Sequence, residues 1–402
     1  MKLAQIGAGN IGRSFIGQLF SRAGYEVVFI DIDDALVAAL NERRSYTVEI
    51  RDETPETLLI ENVRAVNGKD VARAAEELAT ADIAATAVGP EALPHVCPML
   101  ARALVRRREL GGGPLDVVIC ENMRNAAAFM REALAGHLPP DFPLGDAVGL
   151  IETSIGKMVP IMTPEQRGDD PLLVFAEAYN TLIVDGTAFT CGVPDVPGID
   201  PKTNMKAWVD QKLFVHNLGH ALLAYLGFLL IPEVRFVWEA VGDPKVGTAT
   251  REGMWESGRA LMAEYPDELD EETEAEQIEG LLRRFANRAL GDTIYRVGRD
   301  LQRKLAPDDR VIGALRLDGR HGVEAPMTTL GAAAGMLFRA TDEDGRMYPR
   351  DAEFVEAIYS HGPEHVLRTV CRLDPARESD RPIAEAVLAA HARIVADPHG
   401  FL

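Results

Sequence analysis

Cysteine and long apolar segments are scarce in this sequence of 402 residues. The four cysteines are far apart, form no C-x-x-C pair and do not cluster with histidine, which excludes a disulfide scaffold and indicates reduced thiols. The longest apolar run, Ala221–Ile231, has 11 residues, too few to span a bilayer. The first residues show no basic segment followed by a cleavable apolar stretch. We therefore expect a soluble, cytoplasmic protein with no membrane partner.

Basic residues are too few to balance the acidic ones. The sequence has 42 Lys and Arg against 62 Asp and Glu, a formal net charge of −20. Binding to a nucleic acid backbone needs a basic footprint, so DNA and RNA are excluded as main partners. The net charge does not exclude a local basic pocket that binds an anionic metabolite. Only eight of the cations are lysine, so a lysine in an apolar context stands out.

The chain changes character near its middle. In the first part apolar runs alternate with helical patterns, which is typical of βαβ units and a parallel sheet. The predicted strands are Leu3–Ile6, Val27–Ile30, Ala81–Val88 and Val117–Cys120. Turn formers cluster over Gly192–Gly198, and helical periods dominate beyond them; the acidic stretch Asp267–Glu276 is interpreted as a solvated helix face with its preceding turn. We predict an α/β N-terminal domain over residues 1–195 and a mostly α-helical C-terminal domain over 196–402.

A glycine-rich loop follows the first predicted strand. Gly7, Gly9 and Gly12 form a G-x-G-x-x-G sequence that opens a helix, and Asp31 ends the next strand 19 positions after the last glycine. Such glycines permit a tight turn and close approach to a pyrophosphate, while the acidic residue binds a ribose hydroxyl. We therefore predict a Rossmann-type dinucleotide-binding domain. A carboxylate at Asp31 would repel a 2′-phosphate, so NAD(H) is favoured over NADP(H), whereas Asp33 is explained as a helix N-cap.

A polar stripe begins at Lys212. On an α-helix Lys212, His216 and His220 fall within an arc of about 80°, and Asn217 lies about 60° beyond it. The stripe suits oxidation of an alcohol without a metal, because burial lowers the pKa of a lysine toward neutrality, where the amine can accept a proton. Asn217 could donate to the reacting oxygen and His220 could orient it. An ordinary amphipathic helix is the alternative. No residues have a convincing metal-ligand spacing, so we expect no metal ion.

Several segments match one family in combination. They are Gly7–Gly17 (GAGNIGRSFIG), Thr86–Pro90, Cys120–Asn122, Asp170–Leu172, Ile183–Asp185, Pro194–Gly198, Lys212–His220, Arg284–Asn287 and Arg296–Arg310. Together they resemble the polyol-specific long-chain dehydrogenases, and among these the mannitol-1-phosphate 5-dehydrogenases, over nearly the whole chain. The spacing K-x-x-x-x-N-x-x-H is fairly specific when it accompanies the glycine loop. The resemblance implies an N-terminal Rossmann domain with a parallel sheet and a helical substrate domain.

The resemblance also implies roles for individual residues. Lys212 would be the general base. Asn122 and Asn217 would bind the reacting oxygen, and His220 would position it. The residues expected to bind the cofactor NAD(H) are Gly7, Gly9, Asn10, Ile11, Gly12, Asp31 and Val88.

The substrate contacts implied by the resemblance are Arg296 and Lys304. A phosphate group would need further positive charge, and the local basic residues are Arg299, Arg303 and Arg310. We expect Arg299 to be among the substrate-binding residues. Ion pairing on a helix surface is the alternative explanation for these arginines.

Two segments depart from the family pattern on the substrate side. Gly156-Lys157 stands where the family usually has Asp-Arg, and Thr181-Leu182 stands where a Glu-Trp pair is usual. The residues expected to bind the cofactor and to act as base are intact.

The glycine loop and the lysine stripe predict an NAD-dependent oxidoreductase, and the resemblance implies that it interconverts D-mannitol 1-phosphate and D-fructose 6-phosphate, or a close sugar phosphate. One alternative is a reductase of an unphosphorylated polyol, ketose or hexuronate, as in mannitol 2-dehydrogenases and fructuronate or tagaturonate reductases. Another is a nucleotide-binding sensor without catalysis, against which the intact Lys212, Asn217 and His220 count. The expected partner is the small-molecule substrate, and the protein is expected to be a monomer or a small homo-oligomer.

Overall fold

The structure is a computed structural model that describes residues 1–52, 54–160, 162, 166, 168 and 170–402. By its contacts the chain divides into two compact units, Met1–Val209 and Asp210–Leu402. The sequence-based boundary after residue 195 differs from this division. The strand Ile199–Lys202 pairs with Leu182–Asp185, so the contacts of the first unit continue beyond that boundary.

The first unit contains an eight-stranded sheet and a three-stranded sheet. In chain order the strands are β1 Lys2–Ile6, β2 Glu26–Asp31, β3 Tyr46–Ile50, β4 Glu56–Ile60, β5 Val63–Asn67, β6 Ile83–Thr86, β7 Leu115–Ile119, β8 Val148–Ser154, β9 Val174–Ala176, β10 Leu182–Asp185 and β11 Ile199–Lys202. The large sheet has the order β11-β10-β8-β7-β6-β1-β2-β5, and all its pairs are parallel except β10 with β8. The predicted parallel sheet and the four predicted strands are confirmed.

The strand order reverses at β1. From β1 the chain builds outward through β2 to β5, and then returns to the other side of β1 with β6, β7 and β8. In an open α/β sheet such a reversal leaves a crevice at the carboxyl ends of the two diverging strands, where ligands bind. The glycine loop follows β1 and therefore lies at this point of the sheet.

The large sheet carries a hydrophobic core on each face, because alternate side chains of a strand point to opposite sides. In β1, Leu3 belongs to one core together with Phe15 and Leu40 from two helices. The next residue, Ala4, belongs to the other core, which contains Leu78 of a third helix. Helices on both faces are what a buried parallel sheet requires.

The helices of the first unit largely follow the predicted pattern. Asp33 accepts hydrogen bonds from the N–H groups of Ala35 and Leu36, which confirms it as a helix N-cap. The helices are Gly12–Gly17, which is π-helical, its continuation Gln18–Arg22, and Asp34–Arg43, Val71–Ala79, Leu93–Glu109, Ala126–Ala135 and Leu144–Ala147. The helix Met205–Gln211 begins in the first unit and ends in the second.

The three-stranded sheet was not predicted. Its order is β4-β3-β9, with β3 antiparallel to β4 and parallel to β9. Val48 of β3 lies opposite Val174 of β9, which is far away in the sequence. No local sequence pattern therefore predicts this strand pairing.

The second unit is helical, as predicted. Its helices are Lys212–Asn217, which is π-helical, Leu218–Leu230, Val237–Gly242, Pro244–Glu264, Glu271–Phe285, Arg288–Leu290, Ile294–Gly298, Leu301–Lys304, Ile312–Arg320, Pro326–Met336, Pro349–Glu353, Phe354–Ile358, Tyr359–His361, Pro363–Thr369 and Arg381–Ala396. Leu218–Leu230 is largely buried and forms the centre of the unit.

One helical stretch among the described residues, Met205–Leu230, is long and apolar enough to cross a membrane by these two criteria alone, and 67% of its most apolar window is buried inside the protein. A core helix meets the same criteria, and burial of this extent fits a core helix.

The acidic stretch Asp267–Glu276 forms a turn and the start of a helix, with Asp270 as the N-cap. The interpretation of this stretch as a solvated face is wrong at Glu274, which is fully buried and accepts a hydrogen bond from the side-chain amide of Gln211. Burial raises the pKa of Glu274 to about 7.

Candidate active site

Two glycines of the loop lie too close to backbone carbonyl groups to be replaced by any other residue. Gly7 has a φ of +93°, and a Cβ there would lie 2.4 Å from the carbonyl oxygen of Ala87. A Cβ on Gly12 would lie 2.1 Å from the carbonyl oxygen of Gly7. Gly9 and Asn10 are exposed, and their N–H groups have no hydrogen-bond partner within the described part of the chain. Free N–H groups where a loop enters a helix are what a pyrophosphate requires, so these residues fit a dinucleotide.

Asp31 lies at the carboxyl end of β2 beside this loop. One carboxylate oxygen accepts a hydrogen bond of 2.7 Å from the N–H of Ala8, and the other accepts one of 3.0 Å from the N–H of Asp33. Asp31 therefore holds the glycine loop in addition to its predicted contact with a ribose. The sequence motif gives no sign of this second contact.

The segment after β6 is fixed by Glu121, an acid to which the sequence reasoning gave no role. The N–H groups of Val88 and Gly89 donate to the two carboxylate oxygens of Glu121 at 2.9 and 2.8 Å. Glu121 is buried, which raises its pKa, and it precedes Asn122 after the end of β7. Asn122 itself is exposed. The predicted residues Val88 and Asn122 thus follow neighbouring strands and are linked through Glu121.

Lys212 begins a π-helical turn that ends at Asn217. In such a turn residue i is hydrogen-bonded to residue i+5, and π-turns inside α-helices occur frequently at functional sites. The α-helical wheel used for the sequence is therefore wrong here. Lys212 and Asn217 lie one turn apart, closer around the helix axis than an α-helix would place them.

The charge state of Lys212 is shifted toward the neutral amine. Burial and the positive charges of Arg310 and Arg303 lower its pKa to about 8, against a smaller opposing effect of Asp309. A lysine with such a pKa exchanges protons near neutral pH, as general base chemistry requires.

Two histidines on the same stretch are neutral. The rings of His216 and His220 lie 5.2 Å apart, and both contact the ring of Phe285, at 5.6 and 4.1 Å between centroids. Burial lowers the pKa of both histidines well below the ordinary value, and nearby positive charges, among them Arg284, add to this effect. Among the described residues, Nδ1 of His216 and Nε2 of His220 have no hydrogen-bond partner. A neutral imidazole of such low basicity can orient a hydroxyl group while a stronger base takes the proton.

Two predicted substrate residues, Arg296 and Lys304, lie close enough to His220 to lower its pKa. Arg296 pairs with Asp292. The Nζ of Lys304 donates to the carbonyl oxygen of Val297, and burial lowers the pKa of this lysine well below its ordinary value.

The three arginines considered for a phosphate differ in their partners. Arg303 and Arg310 both pair with Asp309, at 3.4 and 2.7 Å. The guanidinium of Arg299 lies over the rings of Tyr295 and Tyr348, at 5.6 and 5.3 Å from their centroids. No ion pair of Arg299 occurs in the described ranges, so its charge is the least compensated of the three.

The departure at Gly156-Lys157 has a local explanation in the first unit. A Cβ on Gly156 would lie 3.3 Å from the ring of Tyr179, which limits the side chain at this position. Lys157 is 6% exposed, donates a hydrogen bond of 3.0 Å to the side-chain oxygen of Asn180 and lies 5.2 Å above the ring of Phe15.

The structure thus groups the predicted residues by unit. In the first, the glycine loop, Asp31, Val88 and Asn122 follow the carboxyl ends of β1, β2, β6 and β7. In the second, Lys212 and Asn217 share one turn, and His220 follows in the same helix.

Family comparisons agree with this geometry. Residues 1–198 match the model of the mannitol dehydrogenase Rossmann domain, and residues 204–370 match that of the mannitol dehydrogenase C-terminal domain. The chain is 36% identical over 355 residues to a mannitol-1-phosphate 5-dehydrogenase of Brevibacillus brevis, with 88% of each chain covered.

Solved structures share the fold at lower identity. A Pseudomonas fluorescens mannitol 2-dehydrogenase, solved as a ternary complex with NAD and D-mannitol, is 20% identical with a TM-score of 0.75, covering 99% of this chain and 92% of its own. A D-sorbitol dehydrogenase in substrate-free form is 16% identical with a TM-score of 0.78, covering 98% and 93%. With both domain models matched and a relative above one-third identity over most of its length, the chain belongs to the mannitol dehydrogenase family of oxidoreductases.

Proposed function

We propose that this protein is an NAD(H)-dependent dehydrogenase that interconverts D-mannitol 1-phosphate and D-fructose 6-phosphate, or a close sugar phosphate. The observation that carries the proposal is Lys212, a half-buried lysine whose pKa of about 8 lets it act as base and as acid near neutral pH. The relative from Brevibacillus brevis bears the name of this activity and supports the choice of substrate.

The first unit would hold the cofactor. The N–H groups of Gly9 and Asn10 would bind the pyrophosphate, and Asp31 would bind the ribose hydroxyls and repel a 2′-phosphate. When bound, NAD(H) accepts or donates the hydride. The NAD complex of the related mannitol 2-dehydrogenase supports this assignment.

Lys212 would move the proton. In the oxidation of the polyol, its neutral amine takes the proton of the C5 hydroxyl while the C5 hydrogen leaves as hydride. In the reduction of the ketose, the ammonium form returns a proton to the oxygen. The amides of Asn122 and Asn217 would donate to this oxygen as negative charge develops on it, with neutral His220 orienting it.

The substrate phosphate would be bound by Arg299. Arg303 and Arg310 are already paired with Asp309, whereas the guanidinium of Arg299 is held in place by two tyrosine rings. A planar guanidinium restrained by contacts with aromatic rings can bind phosphate in a bidentate way at a low entropic cost. Arg296 and Lys304 would contact the hydroxyl groups of the sugar.

The experiment that tests the proposal follows the oxidation of NADH by absorbance with fructose 6-phosphate, fructose and fructuronate, and repeats each assay with NADPH. We expect turnover with fructose 6-phosphate and NADH. Turnover with fructose or fructuronate alone would contradict the assignment of the phosphate site but keep the lysine mechanism. Retained NADH binding without turnover of any substrate would contradict the assignment as an enzyme.

A second candidate is a reductase of an unphosphorylated ketose or hexuronate. The ion pairs of Arg303 and Arg310 with Asp309 favour it, because two of the three cations near a phosphate would already be compensated. The same set of assays separates the two candidates.

A further inference from the structure

Arg13 directly follows the third glycine of the loop, and its side chain is buried. Its Nε donates a hydrogen bond of 2.7 Å to the carbonyl oxygen of Ala8, and its Nη1 donates one of 2.7 Å to that of Leu172. Its main-chain N–H donates to the carbonyl oxygen of Gly9 at 3.0 Å. One residue therefore holds two consecutive carbonyl groups of the glycine loop.

Because peptide units are planar, these contacts of Arg13 also fix the direction of the loop's N–H groups. The carbonyl of Ala8 and the N–H of Gly9 belong to one peptide unit, and the carbonyl of Gly9 and the N–H of Asn10 belong to the next. In a trans peptide the C=O and N–H bonds point in opposite directions. Since Arg13 draws both carbonyls toward itself, the N–H groups of Gly9 and Asn10 point away from it, into the exposed part of the loop.

Arg13 is in turn held from outside the loop. Its carbonyl oxygen accepts a hydrogen bond of 2.7 Å from the hydroxyl of Tyr46, the first residue of β3. The Leu172 segment is fixed by Asp170, whose side chain accepts a 2.9 Å bond from the N–H of Leu172 and pairs with Arg43. The three-stranded sheet thus holds the main chain of Arg13, and the segment leading into β9 holds its guanidinium.

We propose that Arg13 is a positioning residue for the dinucleotide: its side chain sets the Ala8 peptide so that the N–H of Gly9 is directed at the pyrophosphate. This inference rests on the binding of NAD(H) by the glycine loop. It is independent of the sugar substrate and of Lys212. Its test therefore uses binding without a sugar, and its failure is distinguishable from failure of the proposed reaction.

The test compares Arg13→Gln and Arg13→Lys with the wild type by calorimetry, with ADP-ribose and adenosine as ligands. ADP-ribose contains the pyrophosphate, whereas adenosine contains only the adenine and its ribose. In Arg13→Gln we expect the Kd for ADP-ribose to rise about tenfold, the effect of one lost charge-assisted hydrogen bond, and the Kd for adenosine to change less than twofold. In Arg13→Lys the ammonium can still reach one carbonyl, so we expect a smaller rise.

The matched control is Tyr46→Phe, which removes the bond to the carbonyl of Arg13 and leaves the guanidinium bonds in place. It should lower the melting temperature without changing either Kd. If Arg13→Gln does not fold, the test uses Arg13→Lys alone. The proposal then requires the ratio of the Kd for ADP-ribose to the Kd for adenosine to be higher in this variant than in the wild type. Equal weakening of ADP-ribose and adenosine, or an unchanged Kd for ADP-ribose, would overturn the proposal.

Discussion

The ring of Phe285 lies 4.1 Å from the imidazole of His220, centroid to centroid, with 35° between the two planes. Phe285 ends a helix whose first turn carries Glu274, the buried acid that accepts a bond from Gln211. The helix Glu271–Phe285 therefore contacts Gln211 near its start and the histidines of the Lys212–His220 segment at its end. His220 thus contacts an apolar residue to which the sequence motifs assign no role.

Replacing Phe285 with leucine should lower kcat clearly and have only a small effect on the free energy of unfolding. Leucine keeps an apolar side chain but loses the ring–ring contact with the imidazole, and small misplacements at a reacting centre are costly. We expect kcat for ketose reduction to fall about tenfold with the KM for NADH unchanged, measured by steady-state kinetics. Phe354→Leu is the control, because Phe354 is also buried and stacks on Tyr359. An equal fall of kcat in both variants would argue against a specific role.

The direction of the reaction should respond to pH through Lys212. Its pKa is lowered to about 8, so the neutral base needed for polyol oxidation gains population as pH rises through this value. We expect kcat for oxidation to rise across pH 8 and kcat for ketose reduction to fall across it.

Lys212→Ala should abolish turnover and leave NADH binding intact, measured by fluorescence titration. Near-normal turnover in this variant would contradict the mechanism.

The control for the charge of Lys212 is arginine at the same position. Arginine stays protonated at all accessible pH values and neither accepts nor releases a proton, so Lys212→Arg should lose both activities at every pH tested. Lys245→Arg, at an exposed lysine of the same unit, should leave both pH profiles unchanged.

Removal of the Asp31 carboxylate should weaken the binding of NADH more than the loss of a ribose contact alone would. The carboxylate also binds the N–H groups of Ala8 and Asp33, so Asp31→Ala loosens the glycine loop as well. We expect the Kd for NADH to rise about a hundredfold, with relaxed rejection of NADPH, both measured by fluorescence titration. Asp34→Ala removes a neighbouring exposed carboxylate that pairs with Lys69, and it should change either Kd less than threefold. A gain in absolute NADPH affinity without any loss for NADH would contradict a role of Asp31 in holding the loop.

Replacement of Arg299 should separate phosphorylated from unphosphorylated substrates. In Arg299→Met, we expect kcat/KM for fructose 6-phosphate to fall about a hundredfold, since a bidentate contact to a doubly charged group is lost. Any activity with fructose should change less than threefold. Arg251→Met, at an exposed arginine paired with Glu279, is the control. A selective loss in an Arg303 or Arg310 variant instead would move the phosphate site to the paired arginines.

Glu274 should make the protein less stable as pH rises. Its pKa in the folded chain is about 7 against an ordinary 4.5, so the folded state binds the proton more tightly than the unfolded state. Stability is therefore greatest below pH 4.5 in this respect and is lost as pH rises through 7. Glu274→Gln should gain about 1–3 kcal/mol relative to the wild type between pH 5 and pH 8, measured by urea unfolding. Glu276→Gln, at an exposed acid of the same helix, should show no such change with pH.

The parts of the fold that depend on local sequence could be predicted. The glycine spacing and the acid at the end of the next strand identify a dinucleotide loop because backbone geometry leaves few other residues for those positions. Asp33 was predicted as an N-cap for a similarly local reason. The family was recognisable because several such segments occur in one order.

The remaining features depend on contacts between distant residues. Val48 pairs with Val174 across most of the first unit, and Arg13 reaches Leu172 through the same part of the fold. Glu274 sits in an acidic run, and its burial follows from the helix face it occupies and from Gln211. The role of Glu121 rests on hydrogen bonds to Val88 and Gly89, and that of Phe285 on contacts with two histidine rings. Neither charge nor periodicity reveals these contacts.

The π-helical turn at Lys212–Asn217 has a consequence for how this segment can change over time. Such a turn holds one residue more than the α-helical turn it replaces. Deleting a single residue, for example Leu213, would restore a regular helix and rotate Lys212 by about 100° relative to everything after it. A substitution changes a side chain but leaves the number of residues in the turn unchanged. The alignment of Lys212 with Asn217 is therefore a property that a lineage gains or loses by insertion or deletion, and a functional copy of this site should keep the length of the segment even where its apolar residues vary.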